Sequence, residues 1–404
     1  MNNTIKLAVA AALLAGASSA NAGIMIPAGD WTLDIGGIVN AYYTHTNVSG
    51  NPLGLGGASE FGNGKSVSNI TTGLLPNYLS VSGKTRQNDL DVGFTISINP
   101  GSSTTSSGQQ TSPNNQENRQ AFLTFGDKSW GSIKVGKDLG IYASDAILND
   151  MTLLGVGSGA GLLAGNTTTL GRIGTGFMYA DWKSQIAYSS PNWNGFSFTA
   201  GVTQAWNVNT VPGNPFGSDF TVERGGSSPA FEGKASYEWA GDVGGKVWVS
   251  GITQNVEGLG PLSNRDDNAT AFDIGATVNV AGFGLTGYYG QGEGTGTTVL
   301  LRDGYDANGN ARDSDDWYVQ GTYTLPGVGT KLGVSYGEST LEGNGATDPG
   351  LGNIEYSNSM WTVGAYHPLT KHLNLVAEYS NVETEIGVLE GKSKTVSLGA
   401  ILFF

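Results

Sequence analysis

The chain has no cysteine, few charged residues and no long hydrophobic run. Cys is absent from all 404 residues, which excludes a scaffold held together by disulfide bonds. Charged residues make up 13% of the chain, against about 25% in soluble domains. Beyond the N-terminal segment, no apolar stretch reaches the roughly 18 residues that a membrane-crossing helix requires. These absences exclude a helical membrane protein and argue against an ordinary soluble domain.

What the chain does contain is glycine and a moderate share of apolar residues. It has 64 glycines, more than twice the typical frequency of about 7%. Hydrophobic residues account for 38% of the sequence. Low charge without high hydrophobicity is expected of a sheet with one face on lipid and the other on water. The formal net charge of −14 argues against nucleic acid as a partner.

The first 22 residues have the pattern of an export signal. Lys6 precedes an apolar run from Leu7 to Gly16, and small residues follow up to Ala20-Asn21-Ala22. A basic residue, an apolar region and an A-x-A site are the three parts of a cleavable signal peptide. We therefore predict that residues 1–22 are removed and that the mature chain begins at Gly23.

The last segment of the chain, 392–404, alternates with a period of two, which is typical of a strand. One face carries Val396, Leu398, Ala400, Leu402 and Phe404, and the other Thr395, Ser397, Gly399, Ile401 and Phe403. A free terminal strand of this kind would be an exposed edge. We expect it to pair with the first strand, so that the sheet closes and Phe404 seals a barrel.

Similar segments recur along the chain and predict an all-β fold, a transmembrane antiparallel barrel of about 16 strands over 23–404. An even strand count is expected of a single-chain outer-membrane barrel. The predicted strands lie near 31–45, 76–85, 89–99, 118–126, 131–138, 182–190, 195–206, 230–240, 244–256, 269–281, 283–292, 315–325, 330–340, 355–367, 371–383 and 392–404.

The connections alternate between tight turns and long polar loops, as they do in outer-membrane barrels. We predict long loops at 46–75, 100–117, 139–181, 207–229, 293–314 and 341–354. The third of these carries no charge between Met151 and Gly171, where leucines lie among glycines. Packing against the inner barrel wall would remove those leucines from water. A short helix around Tyr142–Asn149 is predicted at its start.

Three local segments resemble the trimeric general porins of Gram-negative outer membranes: Arg119–Leu123, Trp130–Asp138 and Tyr188–Phe196. The resemblance covers the mature chain. It implies passive diffusion of ions and small hydrophilic solutes through a water-filled lumen, with the 139–181 loop folded inward as the constriction. It also implies an outer-membrane homotrimer in contact with membrane lipid and lipopolysaccharide. No cofactor, metal or enzymatic activity is expected.

In this family, bases on the wall face acids on the loop. The resemblance assigns the pore constriction to Lys137, Arg172 and Arg119 on the basic side, with Lys84 and Arg86 displaced towards a turn, and to Asp150 and Asp145 on the acidic side. The loop has Thr152–Gly157 where the family usually has a glutamate. The sign of ion selectivity is therefore open.

Two other functions remain compatible with the sequence. A substrate-specific outer-membrane channel would stack a sugar on pore aromatics such as Tyr318 or Tyr366. A secreted soluble β-rich adhesin would share the alternating strands without needing a membrane. The acidic residues between Asp303 and Asp316 do not follow a calcium-loop pattern, because Ala311 and Trp317 occupy two of its essential positions. We expect a solvated acidic loop there.

Overall fold

The computed structural model describes residues 23–51, 66–102, 116–158, 168–207, 227–259, 265–298, 300–348 and 350–404. The predicted signal peptide lies outside these residues. They form nineteen strands of one antiparallel sheet. The strands are β1 (Ile24–Ala28), β2 (Trp31–Gly50), β3 (Ser66–Thr71), β4 (Tyr78–Gln87), β5 (Leu90–Pro100), β6 (Gln116–Glu117), β7 (Ala121–Asp127), β8 (Gly131–Leu139), β9 (Trp182–Ser189), β10 (Phe196–Thr203), β11 (Ala230–Trp239), β12 (Val243–Leu259), β13 (Arg265–Val280), β14 (Phe283–Glu293), β15 (Asp313–Thr324), β16 (Lys331–Glu342), β17 (Glu355–Pro368), β18 (Leu373–Ile386) and β19 (Leu389–Phe403).

These strands make a barrel sixteen strands round, as predicted. β3 and β4 pair with successive parts of β2, so together they occupy one position in the barrel. β6 and β7 likewise share one position beside β5. β1 forms a hairpin with the start of β2, and β19 pairs with the later part of the same edge of β2. β1 and β19 therefore share one side of β2. The prediction of an all-β barrel of about sixteen strands is confirmed.

The barrel closes between its last and first long strands. β19 pairs with β2 from Gly391↔Gly50 to Phe403↔Ile38. The ladder continues one residue further, because the amide of Phe404 donates to the carbonyl of Gly37 at 3.0 Å and the carbonyl of Phe404 accepts from the amide of Gly37 at 2.8 Å. The terminal residue therefore completes the seam rather than leaving a free edge.

The two faces of the sheet differ in polarity, as β19 illustrates. Thr395 and Ser397 are 2% and 1% exposed, whereas the alternating Val396 and Leu398 are 41% and 53% exposed. The apolar residues thus point outwards and the polar residues inwards, which is the pattern of a barrel surrounded by hydrocarbon. Among the described residues, no helix is long and apolar enough to cross a membrane.

Two sequence predictions of local structure need correction. β2 runs to Gly50 and β3 covers Ser66–Thr71, although 46–75 was predicted to be one loop. These stretches are polar and weakly alternating, so local pattern does not reveal them. The expected solvated loop at 293–314 is instead packed: Leu300 and Leu301 are 1% and 0% exposed. Asp306 is also buried, at 1% exposed, and its carboxylate accepts from the amides of Asn308 and Asn310 at 2.8 and 2.9 Å, which compensates for lost hydration.

Candidate functional site in the barrel interior

The 139–181 loop begins with an anchor on β11, three strands along the sheet from β8. The amides of Ile141 and Tyr142 both donate to Glu232 Oε2 on β11, each at 2.8 Å. The other carboxylate oxygen of Glu232 accepts from Lys183 Nζ at 2.5 Å and Thr203 Oγ1 at 2.7 Å. Glu232 is buried, so its four donors compensate for the loss of hydration. The inward-facing glutamate fixes the direction in which the loop leaves β8.

A second anchor follows in α1 (Ser144–Asn149), the predicted helix. Asp145 lies 2.6 Å from Lys246 Nζ on β12 and 3.2 Å from Lys234 Nζ on β11. Burial of the Asp145 carboxylate raises its pKa, but the two lysine charges outweigh burial, so the pKa lies below its ordinary value of 3.8. Asp145 is therefore ionised at neutral pH and ties the helix to the wall.

A third anchor holds the loop near its far turn. Glu378 Oε2 on β18 accepts from the amides of Val156 and Gly157 at 2.8 and 2.9 Å. Its Oε1 accepts from the hydroxyl of Tyr366 at 2.6 Å. A Cβ at Gly155 would lie 2.0 Å from Oε1, so the close approach requires glycine there. One buried carboxylate thus binds three donors from the loop and the wall.

The buried pair at the end of the loop is weaker. Arg172 Nε lies 3.7 Å from Asp150 Oδ1, and both side chains are 0% exposed. Burial raises the pKa of Asp150 and lowers that of Arg172, because their attraction at this distance does not offset the lost hydration. The guanidinium lies 5.3 Å from the ring centre of Tyr318. The pair holds the loop against β15 and has no surface on open water.

Arg119 also connects the loop to the wall. Its Nε lies 2.6 Å from Glu117 Oε2, and its Nη2 donates to Thr168 Oγ1 at 3.1 Å. The guanidinium carbon lies 5.6 Å from the ring centre of Trp182. Like Arg172, Arg119 is almost completely covered, at 4% exposed. Arg119, Arg172, Asp150 and Asp145 thus each form a contact that involves the 139–181 loop, and their place in a pore constriction stays a prediction.

Lys137 is placed differently. It pairs with Ala121 and Ser184, both exposed. The next residue, Asp138, is buried and forms an ion pair with Lys134. Because successive residues of a strand point to opposite faces, the register assigns Lys137 to the outward face and Lys134 to the inward one. The inward base of β8 is therefore Lys134, which the sequence analysis did not single out.

Lys84 and Arg86 lie towards the short-turn end of β4. Arg86 forms exposed ion pairs with Asp91 and Asp127, each at 2.9 Å. Lys84 is exposed and pairs in register with Thr32 near the start of β2. Their contacts support the turns of neighbouring hairpins, not the 139–181 loop.

The wall residues that carry the anchors were not among those predicted from the sequence. Glu232, Lys234, Lys246 and Glu378 all occupy inward positions of strands that were predicted approximately correctly. The available signal was their place on the polar face of an alternating segment, since a charge on the lipid face costs about 2–4 kcal/mol at the midplane. Tyr318 and Tyr366, considered for sugar stacking, are buried, with their hydroxyls donating to Ala146 O and Glu378.

A closed sixteen-stranded barrel with an apolar outside and charged groups inside defines an outer-membrane channel. The model of the Gram-negative porin family matches residues 8–387. The chain therefore belongs to the Gram-negative porin family and forms a porin channel for passive diffusion across the outer membrane. A sequence search of curated proteins finds no match to this chain.

Solved structures show the same fold at low sequence identity. The outer membrane channel DcaP of Acinetobacter baumannii matches with a TM-score of 0.68 and 17% identity, over 95% of this chain and 100% of that chain. The trimer form of OmpT of Vibrio cholerae matches at 0.55 and 14%, over 93% and 99%. OmpF of Salmonella typhi, solved in complex with daunomycin, matches at 0.54 and 15%, over 94% and 100%.

Proposed function

We propose that this chain is a general diffusion porin whose 139–181 loop narrows the lumen and that it catalyses no reaction. One observation carries the proposal: the loop is anchored on nearly opposite sides of the barrel. Counting from β2, with β3–β4 and β6–β7 each taken as one position, β11 is the eighth and β18 the fifteenth of sixteen positions. A segment bound to Glu232 and to Glu378 crosses the space between those two walls.

The charges around this segment determine what passes. Lys234, Lys246 and Lys134 are partly exposed on the inward face, and each is close to a carboxylate. A Debye length of about 8–10 Å exceeds the radius of a narrow pore, so a permeating ion experiences both signs of charge. Small hydrophilic solutes and ions are therefore the proposed permeants, with weak selectivity because bases and acids are paired.

Planar-bilayer recording of the purified mature protein tests the proposal. We expect stepwise increases in conductance that no single sugar or amine blocks in a saturable way. If the chain forms a homotrimer, the steps should come in multiples of three. If protein that is shown to be folded by its heat-modifiable gel mobility forms no channels, the proposal is overturned. Saturable block by one solute class would instead identify a substrate-specific channel.

The remaining parts of the proposal concern the surroundings of the barrel. The exposed apolar band contacts membrane lipid, and the long loops at the opposite end from the short turns contact lipopolysaccharide. The export signal at 1–22 is cleaved before Gly23. Mass spectrometry of the protein isolated from outer membranes tests the cleavage site, and a chain that retains Lys6 would contradict it.

A further inference from the structure

A second loop packs inside the barrel beside the 139–181 loop. It joins β14 to β15, and its described residues are 294–298 and 300–312. Leu300, Leu301 and Tyr305 are 1%, 0% and 4% exposed. They form one cluster with inward residues of β12 and β13, including Ile252 and Ala271. This 294–312 loop therefore occupies lumen that would otherwise hold water.

The two inner loops contact each other directly. The amide of Tyr179 donates to the carbonyl of Thr298 at 2.9 Å. Leu300 and Leu301 share their apolar cluster with Tyr142 and Met178 of the 139–181 loop. The side chain of Thr298 reaches Gly174 so closely that a Cβ there would lie 2.1 Å from its hydroxyl. The 294–312 loop thus covers the start and the end of the 139–181 loop.

A buried ion pair attaches the 294–312 loop to the next loop, 343–354, beside hydrogen bonds of Asn308 with Thr347 and of Asn344 with Asp306 and Asn310. Arg312 Nε and Nη2 donate to Asp348 Oδ2 and Oδ1 at 2.7 and 2.8 Å, and both side chains are 0% exposed. Arg312 Nη1 also donates to the carbonyl of Asp303 at 2.9 Å. Asp348 Oδ1 accepts from the amides of Gly350 and Leu351. Two parallel charged hydrogen bonds fix both distance and orientation.

The backbone of the loop turns at three glycines with positive φ. Gly294, Gly296 and Gly309 have φ of 72°, 71° and 80°, a conformation that glycine adopts without strain. Beyond the Arg312–Asp348 pair, the loop is held by its apolar cluster, by the Tyr179–Thr298 hydrogen bond and by polar contacts of Asp306, Asn308 and Asn310 with Arg265, Asn344 and Thr347. The buried Arg312–Asp348 ion pair is therefore the strongest attachment of this loop, and its other contacts are weaker.

We propose that the 294–312 loop is a second constriction of the channel and that Arg312 and Asp348 are the positioning pair that keeps it in the lumen. This inference rests on the proposed porin function. The pair acts through the loop and does not contact the permeating solute. Releasing it lets Leu300 and Leu301 leave the wall and widens the outer part of the passage.

The first test is Asp348→Asn, which preserves the shape of the side chain and an oxygen for the amides of Gly350 and Leu351 but removes the charge. We expect a higher single-channel conductance and more open-channel noise than in the wild type. The matched control is Lys392→Gln, which breaks an exposed ion pair with Glu383 at 3.4 Å and should leave the conductance unchanged. If Asp348→Asn forms channels identical to the wild type, the inference is overturned.

A cysteine pair tests the position of the loop directly, because the chain has no cysteine of its own. A Cβ at Gly174 would lie 3.0 Å from the Cβ of Thr298, slightly inside the usual disulfide range of about 3.5–4.5 Å. Oxidised Gly174→Cys/Thr298→Cys should have wild-type conductance, and in the Asp348→Asn background it should restore that conductance until a reductant is added. Because Gly174 has φ of 77°, folding is first checked by heat-modifiable mobility.

The outcomes separate the two proposals. A folded wild type without channels refutes the porin function. If the wild type forms channels but the folded Gly174→Cys/Thr298→Cys protein forms no disulfide, the placement of the loop is refuted. If Asp348→Asn does not fold, the cysteine pair in the wild-type background still decides, because a disulfide that leaves the conductance unchanged supports the inference.

Discussion

Glu378→Ala is the most informative single change to the 139–181 loop. It removes the acceptor for the amides of Val156 and Gly157 and for the hydroxyl of Tyr366. All three donors would lie in a buried region without a partner. Alanine has no side-chain acceptor, so these donors find a new partner only if the loop moves or water enters.

The size of the effect follows from the number of bonds lost. A hydrogen bond to a charged group contributes about 1.5–3 kcal/mol, so the two that join Glu378 to the loop contribute on the order of 3–6 kcal/mol to holding its far turn. Water that enters the gap offsets part of this. Even a remaining cost of about 3 kcal/mol shifts the bound-to-free ratio of the turn by roughly 100-fold. The far turn should therefore spend a measurable fraction of time away from β18.

Single-channel recording should show larger conductance and rapid open-channel fluctuations in Glu378→Ala. Glu378→Gln, which retains one carbonyl oxygen for the two amides, should show a smaller effect. The matched control is Glu383→Gln on the same strand, because Glu383 forms an exposed ion pair with Lys392, worth about 0–1 kcal/mol. Identical conductance and noise in Glu378→Ala and the wild type, with both proteins folded, would refute the anchoring role.

Three further predictions concern charge, pH and closure. Asp145→Asn should shift the reversal potential towards anions, and Lys234→Gln with Lys246→Gln should shift it towards cations; shifts of the same sign would contradict the assignment. Since the pKa of Asp145 is lowered in the folded protein, its stabilising contribution is complete above about pH 4 and is lost as pH falls through the lowered pKa. Acid titration of open-channel noise should show this transition in the wild type and not in Asp145→Asn. Deleting Phe404 removes two backbone hydrogen bonds to Gly37, about 1–3 kcal/mol in total, and should lower the temperature at which the barrel unfolds on a gel.

The sequence predicted the barrel well because the responsible signal is local. Alternation along a strand such as 392–404 requires only that neighbouring residues point to opposite faces, and the terminal strand had no other edge to pair with. The inward loop was predicted from leucines that have no reason to remain in water. The predicted helix around Tyr142–Asn149 was found at Ser144–Asn149.

The site was predicted less completely, because its residues meet over long distances in the chain. Arg119 and Arg172 were identified, but the structure buries them instead of exposing them to a lumen. Lys137 was chosen by resemblance, yet a one-residue step in a strand changes the face, and the register selects Lys134. The apolar packing of Leu300 and Leu301 depends on strand residues that lie between Ala230 and Ala271 in the chain.

The sequence by itself determined which face of each strand is apolar, how many strands close the barrel and that the last pairs with the first. These are consequences of a period of two and of the cost of an open sheet edge. Only the tertiary structure decided which inward charge meets which loop atom. Glu378 and Val156 are 222 positions apart, and no local pattern encodes such a contact, because it exists only once the sheet has curved into a barrel and its two walls face each other.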